Sequence, residues 1–253
     1  MLSAMMKDVY ISGRILLAKR QEFKNNKLDI RQMNIENIKR IELTFVNAYL
    51  VKLNEGFVLI DTGLAMHWEK LERELLSAGC LPDNLNLIII THGDFDHTGN
   101  CARLQEKYKC KVAIHKDDSL MVENGLLQKR KRRTLSAILF SLIRMLFRRK
   151  FPFDKFKPDI YLSDGQDLNE YGFNATVVHI PGHTKGSIGI LTDDGYFFAG
   201  DTFINRKNPE IANLIENPVD LKKSIARLKK MNIRMIYPGH GRPFKMEEIA
   251  RKL

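Results

Sequence analysis

Histidine and aspartate residues occur in four short clusters of this sequence: THGDFDH at 91–97, PGHTKG at 181–186, GDT at 200–202 and PGHG at 238–241. Imidazole and carboxylate groups are the ligands that suit a hard or borderline divalent metal ion. The first cluster places four of them within six residues: His92, Asp94, Asp96 and His97. The pattern therefore indicates a divalent metal site, and a short loop can present alternate side chains to two adjacent ions.

The positions of the clusters suggest how the chain brings them together. Each one directly follows a hydrophobic run that predicts a strand, such as LNLIII at 85–90 before the first cluster. This run is continuous, which is typical of a strand buried on both faces. Loops at strand ends are held by a rigid scaffold. We therefore expect the four clusters to converge on one site.

The rest of the pattern predicts the architecture. The runs IELTFVNAYLVKL and GFVLIDTG predict an antiparallel pair across the turn 54–56, and a hairpin is predicted to turn at 193–195. Further strands are predicted in KVAIH and in RMIYPGHG. Helices are predicted at 66–79, 101–108 and 219–231. Strand-rich halves with helices between them favour an α/β fold in which two sheets are sandwiched by helices.

The motifs HxDxDH, PGHT, GDT and PGHG, in this order, resemble the metallo-β-lactamase superfamily over roughly residues 41–244. The resemblance implies a four-layer αβ/βα sandwich of two mixed β-sheets flanked by helices. It also divides seven donors between two ions: His92, Asp94 and His183 for one, Asp96, His97 and His240 for the other, with Asp201 as the bridge. Asp61, in LIDTG, matches a position that supports a ligand.

Asp94 departs from the commonest form of the motif, HxHxDH, in which a second histidine stands at this position. A carboxylate adds negative charge and a harder oxygen donor. The family implies zinc, whereas Asp94 favours iron or manganese. A carboxylate here also resembles the HxExDH of flavodiiron oxygen reductases, but those carry a flavodoxin-like domain that this chain is too short to include. His115 and His179 lie beside the clusters, and we interpret them as packing or supporting residues.

The chemistry expected of such a site is metal-assisted hydrolysis. Two ions about 3.5 to 4 Å apart would lower the pKa of a water between them toward 7 and generate hydroxide. Asp96 or Asp201 would orient the nucleophile or carry its proton. The expected substrate is a small ester, thioester or lactone, including amphiphilic ones. The alternatives are a phosphodiesterase or ribonuclease, an iron-dependent oxygen or sulfur oxidoreductase, and a binding protein without turnover.

A basic insertion at about 125–158 carries most of the net charge. Nine basic residues and no acidic ones lie between 129 and 150, and without these nine the formal net charge falls from +11 to +2. Apolar residues between the two basic ends fall on one helical face, a pattern that suits the surface of an anionic membrane. A lid over the site and a helix packed on the body are the competing interpretations. Nucleic acid is a weaker one, because the charge brackets an apolar surface instead of lining a groove.

Length and composition predict one globular domain. The chain has 253 residues, of which 44% are hydrophobic and 28% charged, as in ordinary globular proteins. We expect an N-terminal extension at 1–36 and one domain at 37–253. Cys80, Cys101 and Cys110 have no CxxC spacing, which argues against a disulfide framework and a thiolate metal site. With no apolar run of 18 residues and no signal peptide pattern, the expected location is the cytoplasm, with membrane association through residues 129–150 as an extension of that prediction.

Overall fold

The structure is a computed structural model that describes residues 37–125 and 154–250. The first of its two six-stranded sheets has the strand order β1-β2-β3-β4-β5-β6. Strands β1, β2 and β3 pair antiparallel, whereas β3 through β6 pair parallel. The strands are β1 (Ile38–Leu43), β2 (Val46–Lys52), β3 (Phe57–Ile60), β4 (Leu85–Ile90), β5 (Lys111–His115) and β6 (Ile160–Leu162).

The second sheet has the order β12-β11-β9-β8-β7, with β10 beside β9. Its β9 and β11 pair parallel and the other pairs are antiparallel. Both sheets are therefore mixed, as the resemblance implies. The strands are β7 (Ala175–His179), β8 (Ile188–Thr192), β9 (Tyr196–Asn205), β10 (Glu210–Ile211), β11 (Met235–Gly241) and β12 (Phe244–Lys245).

Helices flank both sheets. They are α1 (Trp68–Ser77), α2 (Phe95–Thr98), α3 (Cys101–Tyr108), α4 (Lys116–Asn124), α5 (Pro218–Leu228) and α6 (Met246–Ala250), with 3-10 turns at Ala65–His67 and Asn169–Tyr171. Helix α5 begins where Asn217 accepts hydrogen bonds from the backbone N–H groups of Val219 and Asp220, and Pro218 has no N–H that needs a partner.

Within residues 37–125 and 154–250, hydrophobic clusters lie between the helices and each of the sheets. Leu71 of α1, Leu104 of α3 and Val122 of α4 pack with the first sheet. Leu221 and Ile225 of α5 pack with the second. The sheets are also joined to each other by an aromatic contact. The ring of Tyr49 on β2 meets the rings of Phe198 and Tyr237 edge-on, with centroids 5.4 Å apart in both pairs. The Tyr49 hydroxyl donates to the carbonyl oxygen of Pro238 at 2.6 Å.

Two predictions about the strands need correction. The run 41–53 was expected to be one strand, but it forms most of a hairpin of β1 and β2 that turns at Thr44 and Phe45. Thr44 adopts a positive φ of 63° there. Such a conformation is usually predicted from a glycine or an asparagine, and neither occurs at this turn. The GDT and PGHG clusters also lie within β9 and β11 instead of after them. The β9–β11 ladder shifts register on either side of Pro238, and these bulges let the strand continue.

Helix predictions were accurate where an apolar face repeats. Helix α3 has the predicted bounds, and α1 lies within its predicted range. Helix α5 begins one residue before the predicted range of 219–231 and ends three residues before the end of that range. Helix α4 was not predicted, because KDDSLMVEN has consecutive rather than spaced apolar residues. The extension at 1–36 and the amphipathic stretch 129–150 lie outside the described residues. Among those described, no helix is long and apolar enough to cross a membrane.

Candidate metal centre

All seven predicted donors meet at one edge of the two sheets. Four come from the segment that follows β4 of the first sheet: His92 two residues after the strand ends, Asp94 before α2, and Asp96 and His97 within α2. Three come from the second sheet: His183 in the loop after β7, Asp201 on β9 and His240 on β11. The site is thus assembled only where the ends of both sheets come together.

The donors form two groups. In the first, His92, His183 and Asp201 each offer an atom within 4.8 Å of the other two. The Oδ2 atom of Asp94 lies 3.5 Å from His92 Nε2 and 3.3 Å from His183 Nε2. The carboxylate that replaces the usual histidine therefore faces the same point as the two imidazoles.

The second group consists of Asp96, His97 and His240, whose donor atoms also lie within 4.8 Å of one another. Asp201 contacts this group as well as the first. Its Oδ1 is 3.3 Å from His97 Nε2, and its Oδ2 is 3.1 Å from His240 Nε2 and 3.6 Å from His183 Nε2. Asp201 thus lies between the groups, which is where the resemblance places the bridging ligand.

Each of the four histidines is fixed through its Nδ1 atom. The acceptors are the Thr91 hydroxyl for His92, Asp61 for His97, the Leu214 carbonyl for His183 and the Phe45 carbonyl for His240. An imidazole that donates its Nδ1–H to such a partner keeps the lone pair of Nε2 for a metal ion. The surroundings of the four rings therefore favour the tautomer that a metal site needs.

Asp61 is the most heavily used of these partners. Its carboxylate accepts the backbone N–H of Thr91 at 2.9 Å, the Thr91 hydroxyl at 2.8 Å and His97 Nδ1 at 2.8 Å. Asp61 is buried and holds a left-handed φ of 59°. This conformation is uncommon for a residue other than glycine and is found where the surrounding structure enforces it. The predicted supporting contact of Asp61 is thus present.

The donors fit a pair of cations. Nε2 of His92, Nε2 of His97 and Oδ1 of Asp201 are buried, and none has a hydrogen-bond partner among the described residues. A buried polar atom without a partner costs about 1 to 3 kcal/mol, so several together need an explanation. Four imidazoles and three carboxylates aimed at one space form the donor set of a borderline divalent ion.

The electrostatics of the site also favour cations. Burial lowers the pKa of His97, but the carboxylates of Asp201 and Asp61 outweigh burial and raise it well above the usual value. Burial likewise lowers the pKa of His240, but the Asp201 carboxylate outweighs burial, so this pKa is also raised above its usual value. Burial raises the pKa of Asp201, yet His240 and His97 bring it well below its ordinary range. The Asp201 carboxylate therefore stays ionised and favours positive charge beside it.

Asp118 is a supporting residue that the sequence analysis missed. It is fully buried in the first turn of α4 and accepts three hydrogen bonds of 2.7 to 2.8 Å, from Gly93 N, Gly186 N and the Thr184 hydroxyl. Gly93 follows His92, and Thr184 follows His183. Asp118 thus ties together two donor loops. An aspartate in the first turn of a helix is common, and this helix was not predicted. The sequence therefore gives no signal that distinguishes Asp118 from other aspartates.

His115 and His179 contact each other instead of the seven donors. Their rings stack with centroids 4.2 Å apart and planes 7° apart, and with Asp117 they form a third group of metal-type side chains nearer the surface. The three cysteines are free and buried, and burial raises the pKa of Cys80 and Cys110 to about 12. These two thiols remain protonated near pH 7, which argues against thiolate chemistry.

Proteins with a similar sequence include metallo-hydrolases. The sequence model described as the metallo-beta-lactamase superfamily matches residues 41–240. The chain is 30% identical over 202 residues to "Probable metallo-hydrolase MJ0888" of Methanocaldococcus jannaschii, covering 77% of this chain and 87% of that protein. It is 26% identical over 226 residues to "Acyl-coenzyme A thioesterase MBLAC2" of Homo sapiens, covering 81% and 76%.

Among solved structures, the chain is similar to TTHA1623 in a di-iron-bound form. The TM-score is 0.65 at 26% sequence identity, and the match covers 85% of this chain and 96% of that one. The two-sheet architecture is therefore shared with a protein that has been solved in a di-iron-bound form.

Proposed function

Since the chain belongs to the metallo-β-lactamase superfamily, we propose that it is a hydrolase that holds two divalent ions and cleaves a small thioester or ester. The observation that carries this proposal is the convergence of seven histidine and aspartate side chains from both sheets, including buried Nε2 and Oδ1 atoms without hydrogen bonds among the described residues. Site one would use His92, Asp94 and His183; site two would use Asp96, His97 and His240; Asp201 would bridge them.

Divalent ions bound there would supply Lewis acidity and lower the pKa of a water toward 7. The side chains of the protein orient the donor atoms and transfer the proton. The Nδ1 contacts keep the four Nε2 atoms aimed inward, and all four histidines are buried. Asp96 has a side chain that is 25% exposed, against 9% for Asp201. Asp96 is therefore the better placed of the two to pass a proton to the leaving group or to solvent.

The choice of thioester is supported by the acyl-coenzyme A thioesterase among the relatives, at 26% identity. Esters and lactones undergo the same attack on a carbonyl carbon, so they belong to the same proposal. For the ions, the family supports zinc. The harder donor Asp94 and the di-iron neighbour support iron, and Asp94 alone supports manganese.

The experiment is metal analysis of freshly purified protein followed by a substrate panel. We expect two equivalents of metal per chain and hydrolysis of a chromogenic thioester or ester. Cleavage of a phosphodiester without thioester hydrolysis would establish the phosphodiesterase alternative. Iron content with oxygen consumption and no hydrolysis would establish the oxidoreductase alternative.

His183→Ala tests the site itself, with His179→Ala as the matched control. His183 offers its Nε2 beside Asp94 and Asp201, whereas His179 stacks on His115. The first variant should lose at least one ion and at least a hundredfold in kcat/KM, with its circular dichroism spectrum retained. The control should keep the metal content and turnover of the wild type. Unchanged metal content and turnover in His183→Ala would refute the assignment.

A further inference from the structure

A polar cavity of about 340 Å³ lies between the β1–β2 hairpin and the ends of β9 and β11. The hairpin supplies one wall, from residues on both of its strands and its turn. The other wall is the pair of chain segments that leave β9 and β11. The lining residues are Arg40, Glu42, Thr44, Phe45, Asn47, Asn205, Arg206, Gly241 and Arg242.

This cavity adjoins the candidate metal centre. Gly241 directly follows the donor His240, and the Phe45 carbonyl oxygen accepts the Nδ1–H of that histidine. Asn47 donates to the carbonyl oxygen of Gly241 at 2.8 Å, which holds the hairpin against the end of β11. The lining of the cavity and the donor His240 therefore share the same stretch of backbone at the end of β11.

The cavity carries a net positive charge. Arg40 is neutralised, because its Nη2 lies 2.8 Å from Glu42 Oε2 while its Nη1 donates to the Gly241 carbonyl oxygen. Arg206 and Arg242 are exposed, and neither has an ion pair with any residue in 37–125 or 154–250. Two guanidinium groups therefore remain available for a ligand.

The backbone explains why these two arginines are neighbours. The N–H of Arg242 donates to the Asn205 carbonyl at 2.9 Å, and Asn205 Nδ2 donates to the Arg242 carbonyl at 3.0 Å. Gly241 has a φ of 93°, and a Cβ atom there would clash with the Asn205 carbonyl. Only glycine allows this close approach, which places Arg206 and Arg242 at adjacent positions.

We propose that this cavity binds an oxyanion of the substrate, a phosphate or a carboxylate, while the bond to be cleaved lies at the metal centre. This inference rests on the proposed hydrolase function and narrows its substrates to anionic ones. Guanidinium groups form paired, charge-assisted hydrogen bonds with either oxyanion, so Arg206 and Arg242 suit both. A phosphate-bearing substrate and a carboxylate-bearing substrate would differ in the distance between the oxyanion and the carbonyl carbon that is attacked.

Binding is measured first, without turnover, on the metal-loaded protein by calorimetry. Coenzyme A serves as the phosphate probe and glutathione as the carboxylate probe. The double variant Arg206→Gln/Arg242→Gln should weaken binding of at least one probe by roughly ten- to hundredfold. Arg234→Gln is the matched control, because Arg234 stands just before β11 whereas Arg242 stands just after it. Equal affinity of both probes for the wild type and the double variant would overturn the proposal.

Turnover separates this proposal from the proposed function. The acetyl thioesters of the probe thiols are compared with the neutral acetyl thioester of N-acetylcysteamine. The double variant should have a raised KM for an anionic thioester and an unchanged kcat/KM for the neutral one. Equal losses on both substrates would refute a specific oxyanion site. Arginine-dependent probe binding without hydrolysis of any thioester would refute the hydrolase proposal and leave the oxyanion site standing.

Discussion

Gly239 lies where two donor side chains leave no space for a side chain of its own. A Cβ atom there would be 2.6 Å from His97 Cε1 and nearer still to Asp201 Oδ1. Gly239→Ala should therefore displace both donors and weaken metal binding by roughly ten- to hundredfold, as loss of a supporting contact does in other metal sites. Competition with a chromogenic chelator measures this affinity.

The control for this variant is Gly79→Ala. Gly79 has a positive φ of 78°, unlike Gly239, and nothing lies within 4 Å of a Cβ atom there. It should cost about 1 kcal/mol of stability through backbone strain and leave metal affinity unchanged. If both variants bound metal as the wild type does, the close approach at Gly239 would have no role in the site.

The seven donors could be proposed from the sequence because each lies within a short motif. Their supporting partners could not. Thr91, Leu214 and Phe45 accept from donor histidines, two of them through backbone carbonyl oxygens that any residue would provide. Only Asp61, itself in a recognisable motif, was found in advance. Residue types in a sequence can identify side chains that bind metal, but they do not identify the backbone carbonyl oxygens that orient those side chains.

At the scale of elements, Asp118 connects the loop after β4 to the loop after β7. Asp118→Asn keeps the size of the side chain, but its NH₂ group would face at least one N–H donor, of Gly93 or Gly186. One buried group left unsatisfied costs about 1 to 3 kcal/mol. We expect a lower Tm and weaker metal binding, measured by thermal unfolding and metal titration.

Asp117→Asn is the control on the neighbouring position. Asp117 is exposed and lies 3.4 Å from the Lys185 ammonium, a surface pair that contributes at most about 1 kcal/mol. Its Tm and metal affinity should stay close to those of the wild type. Equal behaviour of the two variants would show that Asp118 does not position the donor loops.

The hairpin of β1 and β2 shows why some elements escaped prediction. The run from Ile41 through Lys52 is β-rich and has no glycine or proline, so it is compatible with one long strand, but the chain turns at Thr44, which adopts a positive φ. The parallel strands β4 and β5 were easier to predict, because their hydrophobic runs are continuous and end in polar loops. Strand identity follows from such runs, whereas a tight turn without glycine depends on tertiary contacts.

The basic segment 129–150 remains a prediction from sequence. Its apolar stripe between cationic ends is expected to bind anionic lipid, with each cation near the surface contributing about 1 kcal/mol. Deletion of residues 129–150 should abolish cosedimentation with vesicles that contain phosphatidylserine, while neutral vesicles should bind neither protein. Retained binding after the deletion would rule out the membrane role.

At the scale of the whole molecule, bound ions should stabilise the fold. At free metal 100 times above Kd, binding adds about 2.7 kcal/mol. For a domain of this size each kcal/mol raises Tm by about 2 to 4 °C. Chelation should therefore lower the Tm of the wild type by roughly 5 to 10 °C, measured by calorimetry. His183→Ala should respond less, and an equal response would place the stabilising ion elsewhere.

The division of donors between the sheets has a practical consequence. A chain split between residues 125 and 154 would leave His92, Asp94, Asp96 and His97 on one fragment and His183, Asp201 and His240 on the other. Each fragment would carry an incomplete coordination sphere. Metal uptake by a mixture of the two would therefore report their reassociation, and the ions themselves would act as the cross-link between two separately expressed halves.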